Sequence, residues 1–515
     1  MKRLFINHHR MAPSLIARRF QGSFSPAPPF TIKDLNESTL EAKYAVRGKI
    51  PIRADELRSQ LDSNENHGLP YDRIISANIG NPQQLDQKPL SWYRQVLSLT
   101  QYPNLISKIE KLEPTVRDHL YPADTVQRAR KLLKSTGSVG AYSHSQGDAG
   151  IRQSVANFIE RRDGYPADPN DIFLTSGASA AVSYLIQVLS SSDKSGFLIP
   201  IPQYPLYTAS IALNNAVPIG YFLNEDKQWS TDPEQIRDLI AENKEKGVQI
   251  KALVVINPGN PTGAILKEND IVEVINIAAE HGIAIIADEV YQENVFHGEF
   301  ISVKKVLAKL LESDHELYKN VQLASLHSTS KGVSGECGQR GGYMELVGFT
   351  REVRDIIFKL ASINLCSVVS GQILVELMIN PPVKGDPSYE LYHHETSSIH
   401  RDLQKRASSL YEAFTKMADV DCQKPQGAMY LFPRLNFSKD QYPALYKKAE
   451  ELNLTIDEFY CTELLERTGI CCVPGNGFGQ VPGTAHLRTT FLPPGTEWIS
   501  SWAAFHEKFV QTYKH

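Results

Sequence analysis

The chain has 515 residues, 42% of them hydrophobic and 22% charged, with a formal net charge of −4. That length and composition allow one large α/β unit with additions, or more than one domain, around a sizeable buried core. The charge excludes the basic field of a nucleic-acid binder, and no uncharged apolar run reaches the roughly 18 residues of a membrane helix.

The first segment, "MKRLFINHHRMAPSLIARRFQGSFS", carries Lys2, Arg3, Arg10, Arg18 and Arg19, and the first acidic residue is Asp34. A basic, serine-containing, acid-free stretch punctuated by Leu, Ile and Phe suits a mitochondrial transit peptide. Residues 1–24 are therefore expected to send the chain to the mitochondrial matrix. The alternative is a disordered basic tail on a cytoplasmic protein. "SPAPPF" (25–30) marks a boundary, and residues 25–67 read as a polar N-terminal arm.

Apolar runs then alternate with helical patterns. "DIFLTS" (171–176) reads as a strand breaking at Gly177, and "AAVSYLIQVLS" (180–190) as a helix. "GFLIPIP" (196–202) and "IKALVVIN" (250–257) are further strands. "IVEVINIAAEHG" is a helix closed by Gly282, and "IAIIADEVY" (283–291) is the next strand; "VQLASLHS" (321–328) and "GYMELVGF" (342–349) continue the series. Strands so uniformly apolar are covered on both faces, which predicts an α/β fold with a mainly parallel central sheet flanked by helices. Longer charged helices from about residue 385 suggest a second, smaller α+β domain. The expected division is a large domain over 129–384 and a discontinuous small domain over 68–128 and 385–515.

Six cysteines, Cys337, Cys366, Cys422, Cys461, Cys471 and Cys472, form no C-x-x-C pair and read as reduced thiols. His393 and His394 are expected on a solvated face, and no metal site is expected.

In an open α/β sheet, ligands bind beyond the carboxyl ends of the strands. Gly177-Ala178-Ser179, "NPGNPTG", Asp288 with Tyr291, and Ser328 with Lys331 all follow strand ends. The Gly-Ala-Ser turn offers free N–H groups at a helix start, suited to a phosphate or simply to capping. Ser328 and Arg340 can serve the same phosphate. Lys331, between Ser330 and Gly332, is either a solvated loop lysine or an amine with room to form a Schiff base. Asp288 could pair with a protonated pyridine nitrogen, or cap a helix. Asn260 and Tyr291 can hydrogen-bond a phenolate oxygen. Tyr204 could stack on a ring or pack in the core. A phosphate, an aldehyde, a pyridine nitrogen and a phenolate together describe pyridoxal 5'-phosphate.

From about residue 35 to the C-terminus the sequence resembles the fold-type I, class I/II aminotransferases, and within them the alanine aminotransferases. The motifs, in order, are "NIGNPQ", "GAYSHSQGDAGIR", "PQYPLY", "INPGNPTG", "DEVYQ", "STSKG…GECGQRGGY" and "PQGAMYLFPR". The resemblance implies that Lys331 forms the internal aldimine and shuttles protons, and that Asp288 pairs with the pyridinium. It implies that Asn260 and Tyr291 bind the phenolate, that Ala178, Ser179, Ser328 and Arg340 hold the phosphate, and that Tyr204 stacks on the ring. Arg488 is expected to take the substrate carboxylate, and Gly80 to pass its backbone close to substrate. Tyr142 is expected to reach the phosphate of the neighbouring subunit of a homodimer.

The implied reaction is L-alanine + 2-oxoglutarate = pyruvate + L-glutamate, ping-pong through a pyridoxamine phosphate form. Alternatives are an aminotransferase for kynurenine, glyoxylate or aromatic acids, or a silent cofactor-binding paralogue. Arg47 is a candidate for the distal carboxylate of 2-oxoglutarate. "GNGFG" (475–479) mimics a nucleotide loop but follows "CCVP", and the resemblance makes it a small-domain loop near the substrate. A dehydrogenase is excluded, because no G-x-G-x-x-G follows a first strand.

Overall fold

The computed structural model describes residues 29, 31–42, 48–63 and 67–515. The targeting segment and Arg47 lie outside the described residues.

Among the described residues seven strands form the central sheet: β1 (Ile172–Thr175), β2 (Ser195–Ile201), β3 (Val217–Phe222), β4 (Gln249–Ile256), β5 (Ala284–Asp288), β6 (Leu323–Ser328) and β7 (Gly342–Val347), in the order β1-β7-β6-β5-β4-β2-β3. β7 runs antiparallel to both its neighbours, β1 and β6. The other pairs are parallel. The carboxyl ends of all strands but β7 therefore share one rim, and β7 sets out from it.

The apolar runs work with a period of two. Leu253 and Val255 of β4 turn to a core shared with the helices Pro233–Glu245, Glu268–His281 and Val303–Ser313. Ala252, Val254 and Ile256 turn to the opposite core, against the helices Ala178–Leu189 and Arg351–Ile363. Both faces are covered, as the unbroken hydrophobicity requires.

A further core gathers Leu403, Leu410, Tyr430, Phe459, Leu487 and Trp502 from the C-terminal part, together with Ile50, Ala54 and Leu57. Residues Leu90 to Leu132 pack elsewhere, with Ile151, Ile172 and the helix Val369–Ile379, buried at every residue but Ser370. The expected small-domain segment 68–128 thus divides between two cores. Its amphipathic helices join the sheet-bearing part, while part of the expected arm joins the C-terminal part.

All six cysteines are free. His393 and His394 are exposed. Among the described residues no cluster of His, Cys, Asp or Glu could hold a metal ion, and no helix is long and apolar enough to cross a membrane.

Candidate active site

A cavity of about 290 Å³ opens at the shared rim. It is lined by Gly80, Ala178, Ser179, Tyr204, Asn260, Asp288, Tyr291, Ser328, Lys331, Arg340 and Arg488. Among the described residues, every expected site residue except Tyr142 lies here. Tyr142 is 77% exposed and lines no part of it.

Lys331 follows the end of β6 by three residues, and its Nζ donates to the Gly80 carbonyl at 2.5 Å. Gly332, at φ +67, lets the chain turn away at once, in the left-handed region that glycine enters freely. The amine stands 5.9 Å over the Tyr291 ring. Asp288 closes β5 and is buried. Tyr207 Oη donates to its Oδ2 at 2.9 Å. Burial pushes the Asp288 carboxyl up to about 6, against the pull of the Tyr207 hydrogen bond, the Val290 N–H and the Lys331 cation.

The helix Ala178–Leu189 starts behind Gly177, which has φ +79 and offers no side-chain cap. Its first N–H groups are left for something outside the helix, at the positive end of the helix dipole. Arg340 closes over this end: Nη2 donates to Ser176 O at 3.1 Å and to Ser179 Oγ at 3.2 Å, while Nη1 donates to Cys337 O at 2.9 Å. A Cβ on Gly177 would lie 2.4 Å from Arg340 Nη2. Ser328 is buried beside them.

At the other end, Arg488 lies on the strand Leu487–Thr490 and is only 2% exposed. Nη1 donates to Asn260 Oδ1 at 3.2 Å and Nη2 to Asn78 O at 2.6 Å. Its guanidinium is sandwiched between Tyr430, 4.3 Å away, and Phe478, 4.6 Å away. Nε, also buried, has no partner among the described residues. A guanidinium held on both faces with a donor to spare is built to meet a carboxylate.

Tyr291 and Tyr430 face each other edge-on at 6.1 Å, and Tyr291 Oη donates to Tyr430 Oη at 3.4 Å. Burial and the neighbouring Tyr430 hold the Tyr291 phenol well above the ordinary range. Burial acts the same way on Tyr430, but the Lys331 and Arg488 cations outweigh it and bring that phenol below its ordinary value.

The residues fit a cofactor that joins a phosphate, a ring nitrogen and an aldehyde. Bare helix N–H groups with an arginine face one end, a buried acid the middle, and a single amine the space between. The sequence points to no site role for Tyr430 or Tyr207, and to Cys337 only as a reduced thiol. Tyr430 stands inside "PQGAMYLFPR" with no chemical mark of its own, whereas Tyr207 follows Tyr204 at helical spacing, a signal that was available. "GNGFG" sits at the site as well, since Phe478 forms one wall of the Arg488 sandwich.

Fold and site together define a fold-type I aminotransferase. The profile of the family described as aminotransferase class I and II matches residues 114–497, and the chain belongs to that family. It is 54% identical over 512 residues to the mitochondrial alanine aminotransferase of Saccharomyces cerevisiae, covering 99% of this chain and 85% of that one. A second protein of that yeast, named inactive alanine aminotransferase, is 54% identical over 495 residues, covering 96% of each chain. Among solved structures, an alanine aminotransferase from Pyrococcus furiosus superposes with a TM-score of 0.71 at 25% identity, over 93% of this chain and 100% of that one.

Proposed function

We propose that this chain catalyses pyridoxal-phosphate-dependent transamination between L-alanine and 2-oxoglutarate, giving pyruvate and L-glutamate. The carrying observation is that one cavity brings the Lys331 amine, the buried Asp288 and the sandwiched Arg488 together from distant parts of the chain. The likeness to proteins named alanine aminotransferase, from yeast to the 44% identical mitochondrial enzyme of Arabidopsis thaliana, supports the choice of substrates.

In this reading Ala178, Ser179, Ser328 and Arg340 hold the cofactor phosphate, Asp288 faces the ring nitrogen, Asn260 and Tyr291 face the phenolate oxygen, and Tyr204 stacks on the ring. When bound, the cofactor supplies a reactive aldehyde carbon and an electron-accepting ring. Arg488 fixes the carboxylate common to amino and oxo acid, so both half-reactions use one anchor. Lys331 Nζ takes up the substrate Cα proton and hands it back. Its contact with the Gly80 carbonyl keeps the amine on the substrate side. The low exposure of Arg488 and Asp288 keeps water away from both charges, which strengthens their pull.

We further read the protein as a homodimer in which Tyr142 serves the neighbouring site, and residues 1–24 as a mitochondrial matrix-targeting segment. Its relatives of mitochondrial name support the second point. We place the domain division at the expected boundaries, except that residues 90–128 go with the large domain and the helix Lys49–Ser63 of the arm with the small one, on the packing described above.

The test is pyruvate release from L-alanine by the purified, cofactor-loaded protein in the presence of 2-oxoglutarate, alongside a panel of other amino donors and oxo acids. Faster turnover of another pair would replace the substrates. No turnover of any pair, with cofactor bound, would favour a silent cofactor-binding protein, a reading in line with the yeast relative named inactive alanine aminotransferase.

A further inference from the structure

We propose that His486 is a positioning residue for Arg488, held as a doubly protonated imidazolium that ties the Arg488 strand to the loops beside it, so that carboxylate binding depends on its charge. The inference rests on reading Arg488 as the carboxylate receptor.

His486 is buried, directly before the strand Leu487–Thr490. Its Nε2 lies 3.1 Å from Glu225 Oε2, and its Nδ1 lies 3.1 Å from Gln480 Oε1. That same Gln480 atom accepts the backbone N–H of His486 at 3.0 Å. A backbone N–H can only donate, so the atom is the amide oxygen and not the amide nitrogen. Both ring nitrogens therefore face acceptors. A neutral imidazole has a single N–H and would set a lone pair against one of them; only the cation donates twice. The ring plane is fixed by Phe432, stacked at 4.8 Å and 3°, and by the Trp229 edge at 6.0 Å.

Charged groups of both signs stand near the ring. Glu225 Oε2 also faces Arg434 Nη1 at 3.8 Å. Asp226 and Asp232 line the same cavity of about 310 Å³ as Glu225, Arg434, Gln480 and His486, which gives the pair access to solvent protons. The Cys422 thiol beside Glu225 is pushed far up by burial and stays neutral. Arg488, two residues along the strand, is the other cation.

The link to Arg488 runs through one short turn. Gly475–Phe478 is that turn, and Gln480 follows it. Gly475 N donates to His486 O at 2.8 Å, and Val473 pairs with Arg488 across the strands. Phe478 packs edge-on against Phe432 at 6.0 Å and under the Arg488 guanidinium at 4.6 Å. The His486 ring thus grips, through Gln480 and Phe432, the turn that forms one wall of the Arg488 sandwich. Loss of the ring proton removes one of its two donors, frees Gln480 or Glu225, and loosens that wall.

The test uses the cofactor-loaded full chain. Nitrogen NMR of labelled histidine, with the His486 signal assigned by its loss in His486→Asn, should show both ring nitrogens protonated at neutral pH. KM for both L-alanine and 2-oxoglutarate should rise about tenfold as pH rises through that titration, with kcat changing much less. Glu225→Gln removes the carboxylate partner and should move both the titration and the KM rise to lower pH. A neutral ring at neutral pH, or a Glu225→Gln profile that superimposes on wild type, overturns the proposal. Arg488→Lys separates the two readings. If it leaves both KM values unchanged, the carboxylate assignment itself falls. If it raises them while Glu225→Gln does not shift the profile, only the role of His486 falls.

Discussion

Lys331 Nζ and the Gly80 carbonyl meet at 2.5 Å although 251 residues separate them in the chain. The contact exists because Gly80 has no side chain: a Cβ there would lie 1.9 Å from Tyr430 Oη and 3.2 Å from Lys331 Nζ. Gly80→Ala must therefore displace the amine, the tyrosine or the loop. A shift of about 1 Å at a reacting group can cost on the order of a hundredfold in rate. We expect kcat to fall by about that factor while cofactor affinity changes little, since the phosphate end is untouched. Steady-state kinetics beside a cofactor titration check this, and an unchanged kcat would refute it.

Asp288 carries a cost in the cofactor-free protein that can be read as a pH dependence. Its carboxyl is raised by burial from 3.8 to about 6. A raised acid contributes stability below the unfolded value, and that stability is lost as pH climbs through the folded value. Between about pH 4 and 7 the loss amounts to roughly 3 kcal/mol, at about 1.4 kcal/mol per unit. Asp288→Asn never ionises, so without cofactor it should gain on wild type across that window and hold the gain above it. Denaturant unfolding at several pH values measures this. With the cofactor bound, a cation opposite the carboxylate should reverse the order. A gain that does not grow with pH would count against the buried charge.

Much of this arrangement was legible in the chain. Uniformly apolar runs such as "IKALVVIN" marked buried parallel strands, and short polar motifs followed them, so topology alone carried Asn260, Asp288, Ser328 and Lys331 to one rim. What stayed hidden were groups whose chemistry depends on distant neighbours. Tyr430 reads as a core aromatic until Lys331 and Arg488 stand beside it, and His486 reads as a strand-end histidine until Glu225 arrives from 261 residues away. The helices between Leu90 and Leu132 have apolar faces, but an apolar face does not say which core it will join.

Gly177 sets the distance between the helix end and Arg340. At φ +79 a Cβ is strained, and it would also lie 2.4 Å from Arg340 Nη2. Gly177→Ala should push the guanidinium off the phosphate position and tilt the first N–H groups of the helix. Each charge-assisted bond lost is worth about 1.5–3 kcal/mol, so cofactor affinity should fall at least about tenfold. Equilibrium dialysis of the cofactor, with circular dichroism to confirm folding, measures it. A folded variant that binds as tightly as wild type would remove Arg340 and this helix end from the phosphate site.

The last prediction concerns Tyr142, which is 77% exposed and stands outside the cavity of its own chain. If it serves the neighbouring site, each active site draws Lys331 from one subunit and Tyr142 from the other. Lys331→Ala removes the amine, and Tyr142→Asp sets a carboxylate against a phosphate dianion, so each variant alone should be inactive. Equal amounts unfolded and refolded together pair at random, and half the dimers are hybrids. Each hybrid has one site damaged twice and one site with both native residues. By the two-fold symmetry of the interface, activity should return to about a quarter of wild type. Mixing the folded variants without subunit exchange should restore nothing. Inactive hybrids, with their formation verified by mass and Tyr142→Asp folded and inactive alone, would show that Tyr142 acts within its own chain. A fully active Tyr142→Asp would show that it serves neither site.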